Sequence, residues 1–242
     1  MQKASLNLIK ELKKQKRENP NLLFLDNPKI IKDATKAGHK INIVLVDNEN
    51  KKIDGIKEEL QFLADKATIE SLSDVKTPQG VCVMLEYTQN IVNIPQKNFL
   101  VLDGLQDPGN VGTLIRTALA SGFNDVYLVD SVKETNSKMI RSSAGAVFNL
   151  NLYSMNRADF TVFAKKNNLI LLKTDMTGEN IFTYKPKGSV GVVIGNEGNG
   201  VSAEISEICK QKVSIPMNKG IESLNAGVSG AIIMYQINKD NF

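Results

Sequence analysis

Three short stretches of this chain carry residue types that can do chemistry. The first, "VVIGNEGNGVSAEI" (192–205), sets three glycines within six positions behind an apolar run. A glycine loop after a strand usually cradles phosphate, but the phosphate templates fail here. A P-loop needs Gly-x-x-x-x-Gly-Lys-Ser/Thr, and no Lys-Ser or Lys-Thr follows Gly195, Gly198 or Gly200 at that spacing. The dinucleotide pattern needs Gly-x-Gly-x-x-Gly with an acid roughly twenty residues further on. Here the order is Gly-x-x-Gly-x-Gly, and Ile215 and Pro216 occupy that later position. Glu197 would repel a phosphate, yet it can accept from hydroxyl or amino groups. Glycine also lets backbone approach a ligand closely. The competing reading is an ordinary tight strand-to-helix turn.

The second stretch is "LDGLQDPGNVGTLIRTALASG" (102–122), in which Pro108, Gly109 and Asn110 read as a helix entry with Asn110 as cap. Arg116 follows on a helix that is otherwise apolar through Leu114, Ile115, Ala118 and Leu119. An arginine among such neighbours either pairs with a carboxylate (Asp103, Asp107 or Glu197) or awaits a phosphate. The third stretch is "SIPMNKGIESLNAGVSGAI" (214–232). Ser223 can cap the last helix or bond a ligand at its positive end. Asn225 is awkward as a cap, because an amide just inside an apolar helix wants a partner. Gly227, Ser229 and Gly230 lie inside that helix, where each glycine costs about 1 kcal/mol against alanine. Close packing against another backbone, that of a partner chain, is a motive for accepting that cost.

These stretches need elements to hold them. The chain has 242 residues, enough for one or two domains. Its 42% hydrophobic and 23% charged residues are ordinary for a globular protein. The N-terminus has no apolar signal region, and no apolar run approaches the roughly 18 residues of a membrane span. Cys82 and Cys209 are too few and too far apart for a metal cluster or disulfide framework, so a cytoplasmic setting with neither metal nor membrane partner is the expectation. The net charge of +4 leans towards an anionic partner. Part of that excess is local: Lys10, Lys13, Lys14, Lys16 and Arg17 oppose Leu8, Ile9 and Leu12 on one amphipathic helix. Such a face either grips phosphates or is simply solvated. Trp is absent, and no aromatic spacing suggests a base-stacking platform.

Alternating helix and strand patterns run along the whole chain. Strands are expected at "LLFLD", "INIVLVD" and "GVCVMLEY", with helices at "PKIIKDATKAG" and around "DGIKEELQFLADK". Within the polar stretch "TQNIVNIPQK" we place a linker at 91–97, dividing an N-terminal domain (1–90) from a C-terminal one (98–242). From Phe99 the alternation resumes through "FLVLDGL", "DVYLVD", "LNLY", "LILLKTD", "SVGVVIG" and "KVSIP". Helices are expected between them, "SKMIRSSAGAVF" among these, and "ESLNAGVSGAIIMYQINK" closes the chain. Strands this apolar imply a parallel sheet covered on both faces. Ligands of such sheets sit beyond the carboxyl ends of strands, here after Leu105, Ile194 and Pro216.

Together the three stretches resemble the motifs of the SpoU (TrmH) group of RNA ribose 2′-O-methyltransferases, within the SPOUT superfamily. Asn110, Gly112 and Arg116 match its N-x-G-x-x-x-R. Gly195, Glu197, Gly198 and Gly200 match its G-x-E-G-x-G. Ile215, Pro216, Met217, Ser223, Leu224 and Asn225 match its I-P-M…S-L-N. Upstream, "LSDVKTPQGVCVMLE" and "LLFLDNPKIIKDA" resemble the substrate-binding domain of the ribosomal-RNA branch, with Asn27-Pro28 in place of Glu-Gly. "NAGVSGA" departs likewise from N-V-S-V-A. The resemblance implies an α/β catalytic domain with a mainly parallel sheet and a deep trefoil knot, a topology otherwise nearly absent from proteins. It also implies a small N-terminal ribosomal-protein-like (L30e-like) α/β domain that delivers RNA. S-adenosylmethionine would bind bent in the knot, held at Gly195, Gly200, Ile215, Met217 and Leu224. The enzyme would be a homodimer with active sites at the interface.

The implied reaction moves a methyl group from an activated sulfonium to a ribose 2′-hydroxyl, so alignment and one proton are what the protein must manage. The single histidine, His39, lies in the N-terminal domain on an expected surface loop and is no candidate base. Guanidinium stays protonated, so Arg116 is read as a phosphate-binding group that favours the developing alkoxide. Asn110, Glu197, Ser223 and Asn225 shape the pocket by hydrogen bonds, Asn225 either directly or through a neighbour. Lys13, Lys14, Lys16 and Arg17 are the RNA-binding candidates. Ribosomal RNA of the large subunit is favoured over tRNA, and a catalytically silent RNA-binding protein is the alternative.

Overall fold

The computed structural model describes residues 1–221 and 223–241. They form two compact units, Met1–Thr88 and the chain from Gln89 onward. The first unit runs β1 (Gln2–Lys3), α1 (Leu6–Glu18), β2 (Leu22–Leu25), α2 (Pro28–Lys36), β3 (Ile41–Val46), β4 (Gln61–Leu63), α3 (Lys66–Leu72) and β5 (Val81–Glu86). Its sheet has the order β1-β4-β3-β5-β2, parallel across β1, β4 and β3 and antiparallel on both sides of β5. Ser5 opens α1 by accepting from the Leu8 N–H at 3.2 Å. The helix then buries Leu12, with Leu8 and Ile9 beside it, against Phe24, Leu45, Ile69 and Leu72. Asn27 and Pro28 make a helix start: the Asn27 side chain accepts from the N–H groups of Lys29 and Ile30, and Pro28 occupies the first turn.

Three sequence expectations change in this unit. The helix expected around 54–66 is reduced to one 3₁₀ turn at Glu58–Leu60. Gly55 takes φ +82°, and the buried Gln61 side chain bonds the backbone of Ile53 and Ile56. Residues 61–63 join the sheet instead, and Asp65 caps the helix that follows. Lys16 does not face solvent with the other basic residues. Its ammonium donates to the Leu72 carbonyl at 2.6 Å, pairs with Asp74 at 2.7 Å and lies 5.7 Å from the centre of the Phe24 ring. Lys13, Lys14 and Arg17 remain exposed. His39 is half-buried and stacked on Tyr87 at 5.5 Å, and burial lowers its pKa from 6.5.

The second unit runs β6 (Phe99–Asp103), α4 (Pro108–Ala120), β7 (Asp125–Val129), α5 (Ser137–Ser142), β8 (Asn151–Met155), α6 (Arg157–Lys166), β9 (Leu171–Asn180), β10 (Gly191–Gly195), α7 (Ala203–Ile208), β11 (Gln211–Ser214) and α8 (Ala226–Ile237). The six strands order as β11-β9-β10-β6-β7-β8, every pairing parallel, as the apolar strands require. Tyr127, fully buried at its centre, touches the rings of Phe99, Tyr153, Phe160 and Phe163. The helix expected over 137–148 stops at Ser142, because Ala144 and Gly145 both take positive φ.

Two helix caps also differ from expectation. Asp107, not Asn110, caps α4, accepting from the Gly109 N–H, which places Asn110 inside the first turn and Arg116 in the third. Asn225, not Ser223, caps α8 by accepting from Gly227 and Val228, a role its short amide performs because the helix begins only at Ala226. Glu222, where the sequence opens that helix, lies outside the described residues. Gly227 and Gly230 of α8 make room for α4 of the same chain. A Cβ on Gly227 would lie 3.2 Å from the Thr113 methyl, and one on Gly230 would run into the Leu114 side chain. Gly230→Ala should therefore lower the stability of this unit by about 1–3 kcal/mol through overpacking. Chemical denaturation followed by circular dichroism measures this, and a midpoint equal to the parent's would contradict the close fit.

Candidate active site

The carboxyl ends of β6 and β10 lie level, with Gly195 paired to Asp103 and Ile194 to Leu102. Beyond Gly195 the chain closes a tight loop. Asn196 and Gly200 exchange two backbone bonds of 2.8–2.9 Å, and the Asn196 carbonyl oxygen of the side chain accepts from the N–H groups of Gly198 and Asn199. Its amide nitrogen donates to the Gly104 carbonyl at 2.9 Å, tying the loop to the end of β6. Gly195 is required by this closure, because a Cβ there would meet the backbone of Gly200 and Val201. Gly200 uses both backbone polar groups on Asn196, so it presents a ligand with bare backbone surface rather than hydrogen bonds.

Three chain segments meet through side-chain amides. Asn225 accepts from the backbone of α8, so its oxygen is fixed and its NH2 points away, donating to the Asn110 oxygen at 2.9 Å. Asn110 is thereby oriented in turn, and its own NH2 donates to the Glu197 carboxylate at 2.8 Å. Each amide nitrogen finds an acceptor, and the row terminates on a carboxylate, which when ionised has no hydrogen to donate. The row joins the start of α4, the glycine loop and the start of α8.

Beside this row lies a cavity of about 770 Å³. Gly195, Glu197, Gly200, Ile215, Met217, Ser223, Leu224 and Asn225 all line it, so the glycine loop and the Ile215–Asn225 stretch converge on one space. Asn110 reaches it through Glu197 and Asn225. Arg116 does not line it: its side chain is exposed on α4, and no carboxylate pairs with it among the described residues. The basic residues of α1 belong to the other unit.

Several contributors were not singled out from sequence. Asn196 organises the loop. Thr174, Asp175 and Thr177 form a wall from the middle of β9. The Thr177 N–H and hydroxyl bond Asp175, with Lys173 at 3.2 Å, and together they lower its pKa to about 2. Asp103, fully buried, takes the Arg157 Nε at 2.7 Å on one oxygen and the Ser202 N–H at 2.6 Å on the other. A charged residue closing the otherwise apolar strand "FLVLD" was the available signal for it.

A parallel α/β sheet with a cavity at its strand ends has the architecture of enzymes that bind a small ligand there. The chain belongs to the SpoU rRNA Methylase family, whose model matches residues 97–235, and is thus an RNA methyltransferase. Over 93% of its length it is 26% identical to the 23S rRNA (guanosine(2553)-2′-O)-methyltransferase RlmP of Bacillus subtilis, covering 91% of that protein. It is 32% identical to a putative TrmH family tRNA/rRNA methyltransferase of Staphylococcus saprophyticus, covering 86% of this chain and 91% of the relative. Its fold matches the crystal structure of an AdoMet-bound rRNA methyltransferase from Sinorhizobium meliloti with a TM-score of 0.85 at 21% identity, covering 100% of this chain and 98% of that one.

The cavity wall carries a pH signature. The folded pKa of Asp175 lies below the ordinary 3.8, so its contribution to stability is complete above that value and is lost as pH falls towards about 2. Asp175→Asn should therefore be less stable than the parent near neutral pH, with the gap narrowing below about pH 4. Urea titrations across that range test it, and a gap independent of pH would refute the ionised role.

Proposed function

We propose that the protein transfers a methyl group from S-adenosylmethionine to a ribose 2′-hydroxyl in structured RNA, with large-subunit ribosomal RNA the favoured substrate over tRNA. The observation that carries this reading is the cavity itself, walled by Glu197 and Asp175 at the joined strand ends. Its volume falls in the usual range of about 300–1,000 Å³ for small-molecule sites. With Asp175 paired to Lys173, it is the Glu197 carboxylate that disfavours a nucleotide phosphate and suits a ligand bearing a sulfonium and an ammonium. Backbone at Gly195, Gly200, Ile215, Met217 and Leu224 would hold that cofactor, whose bound sulfonium supplies the methyl group. Likeness to RlmP across both units supports ribosomal RNA.

Asn110, Glu197, Ser223 and Asn225 orient the acceptor by hydrogen bonding, while Arg116 binds its phosphate and stabilises negative charge developing on the 2′-oxygen. Because Arg116 stands outside its own chain's cavity, we assign the active enzyme as a homodimer in which it serves a site at the interface. The outward side of α8 supports this, with Val228 and Tyr235 at 49% and 45% exposure and the half-buried Ile232 between them. The bond from Asn225 to Asn110 is what a chain end drawn through a trefoil knot would make. Residues 1–90 act as the L30e-like RNA-delivering domain, residues 91–97 as linker and 98–242 as the catalytic domain, working on RNA in the cytoplasm.

Arg116→Ala should abolish transfer while leaving cofactor affinity within about twofold, as read by calorimetry alongside a methylation assay. Collapse of cofactor affinity would overturn the role given to Arg116. Neutralising Lys13, Lys14 and Arg17 together should weaken RNA binding and flatten its salt dependence, by about 0.7–0.9 per lost phosphate contact on a log–log plot. An unchanged slope in filter binding would remove α1 from the RNA surface.

A further inference from the structure

We infer that Asp103 is a positioning residue for the cofactor, fixing the far end of the glycine loop so that the cavity is formed before a ligand enters. The inference rests on reading that loop as cofactor-binding. The near end of the loop is held by Asn196, through its bonds to Gly104, Gly198, Asn199 and Gly200. Those bonds stop at Gly200. The next restraint along the chain is the Ser202 N–H, which donates to Asp103 Oδ2 at 2.6 Å. Residues 196–201 are thus clamped at both ends by side chains rooted at the end of β6 and in the loop's own first residue.

The identity of the residue follows from its two tasks. Asp103 has no exposed surface, and a buried carboxylate without a cation is strongly destabilising. Arg157 supplies that cation, with Nε at 2.7 Å from Oδ1, and is itself held by Asp130 at 3.2 Å. The Asp103 pairing raises the Arg157 pKa further. With Oδ1 committed to the guanidinium, Oδ2 is left for the loop. An amide cannot do both jobs, since it offers one acceptor and would turn a donor towards either Arg157 or the Ser202 N–H. Arg157 covers this corner closely, its Nη2 lying 2.6 Å from where a Cβ on Gly104 would stand.

A rival role for Asp103 is to anchor α6 through Arg157 and nothing more. Ser202→Pro separates the two. The residue sits at φ −59°, which the proline ring adopts, and its buried hydroxyl makes no hydrogen bond. The substitution replaces the N–H that Asp103 holds with a ring carbon that cannot sit 2.6 Å from Oδ2, so the hold on the loop is lost, and the exchange of α6 amides reads separately whether the Arg157 pairing survives. Releasing the equivalent of one residue of ordered backbone should weaken S-adenosylmethionine binding about tenfold. The Michaelis constant for the cofactor should rise in step while kcat at saturating cofactor is retained. Hydrogen exchange in the ligand-free protein should quicken at the amides of 197–201 and stay unchanged in β6 and α6. Asp103→Asn should give the same loop signature with a lower melting temperature, and it reads the same quantities if Ser202→Pro fails to fold. Cofactor affinity within twofold of the parent with unchanged loop exchange in a folded variant would overturn the inference, as would a loss confined to kcat. If the parent itself took up no S-adenosylmethionine, the proposed function would fail, and the ligand-free exchange measurement would still decide whether Asp103 holds the loop.

Discussion

Everything about the candidate site depends on one constraint: a row of side-chain amides that can be satisfied in only one direction. The free N–H groups at the start of α8 claim the Asn225 oxygen, and this choice propagates through Asn110 to Glu197. Residues 115 positions apart in sequence are thereby joined by a single bond. Each bond contributes only about 0.5–1.5 kcal/mol net. Their value lies in specificity, because reversing any one amide sets donor against donor along the row. The glycine loop, the α4 entry and the α8 entry are consequently parts of one object.

Charge is sorted by depth in this molecule. Carboxylates face the cavity, where Glu197 makes the surroundings hostile to an anion. Lys173 is the cation among the cavity-lining residues, paired with Asp175, whereas Arg116, without a carboxylate partner among the described residues, is exposed on α4 and Lys13, Lys14 and Arg17 are exposed on α1. In the proposed function the RNA would meet the exposed basic residues and the cofactor the cavity. The overall excess of four positive charges conceals this arrangement, since it averages two surfaces of opposite sign.

Local pattern made much of this legible. The apolar runs around Leu100, Tyr127, Leu172 and Val193 identify a parallel sheet by burial alone, and every strand expected after Phe99 is present. The residues around the cavity were identifiable because glycine, proline and asparagine are informative where backbone must turn. What escaped depended on partners remote in sequence. Residues 61–63 have a helical pattern, yet pairing with β1 and β3 on either side and the buried Gln61 side chain overrode it. Lys16 has the same local context as Lys13, and only the Leu72 carbonyl and Asp74, more than fifty positions away, distinguish them. The spacing of Gly227 and Gly230 announced a close neighbour without revealing that the neighbour was α4 of the same chain.

The strand order has a consequence for how the second unit comes into being. The central strand β6 is flanked by β7, which follows soon after it, and by β10, whose residues 191–195 are made some ninety positions later. On a ribosome releasing about 5–20 residues per second, β6 waits several seconds with one edge unpaired. Such long-range closure is slow, and open edges invite association between nascent chains. The start of α8, made later still, then supplies Asn225, so the amide row forms only after residue 225 has been released. A polypeptide stalled short of α8 would carry the sheet but no organised cavity.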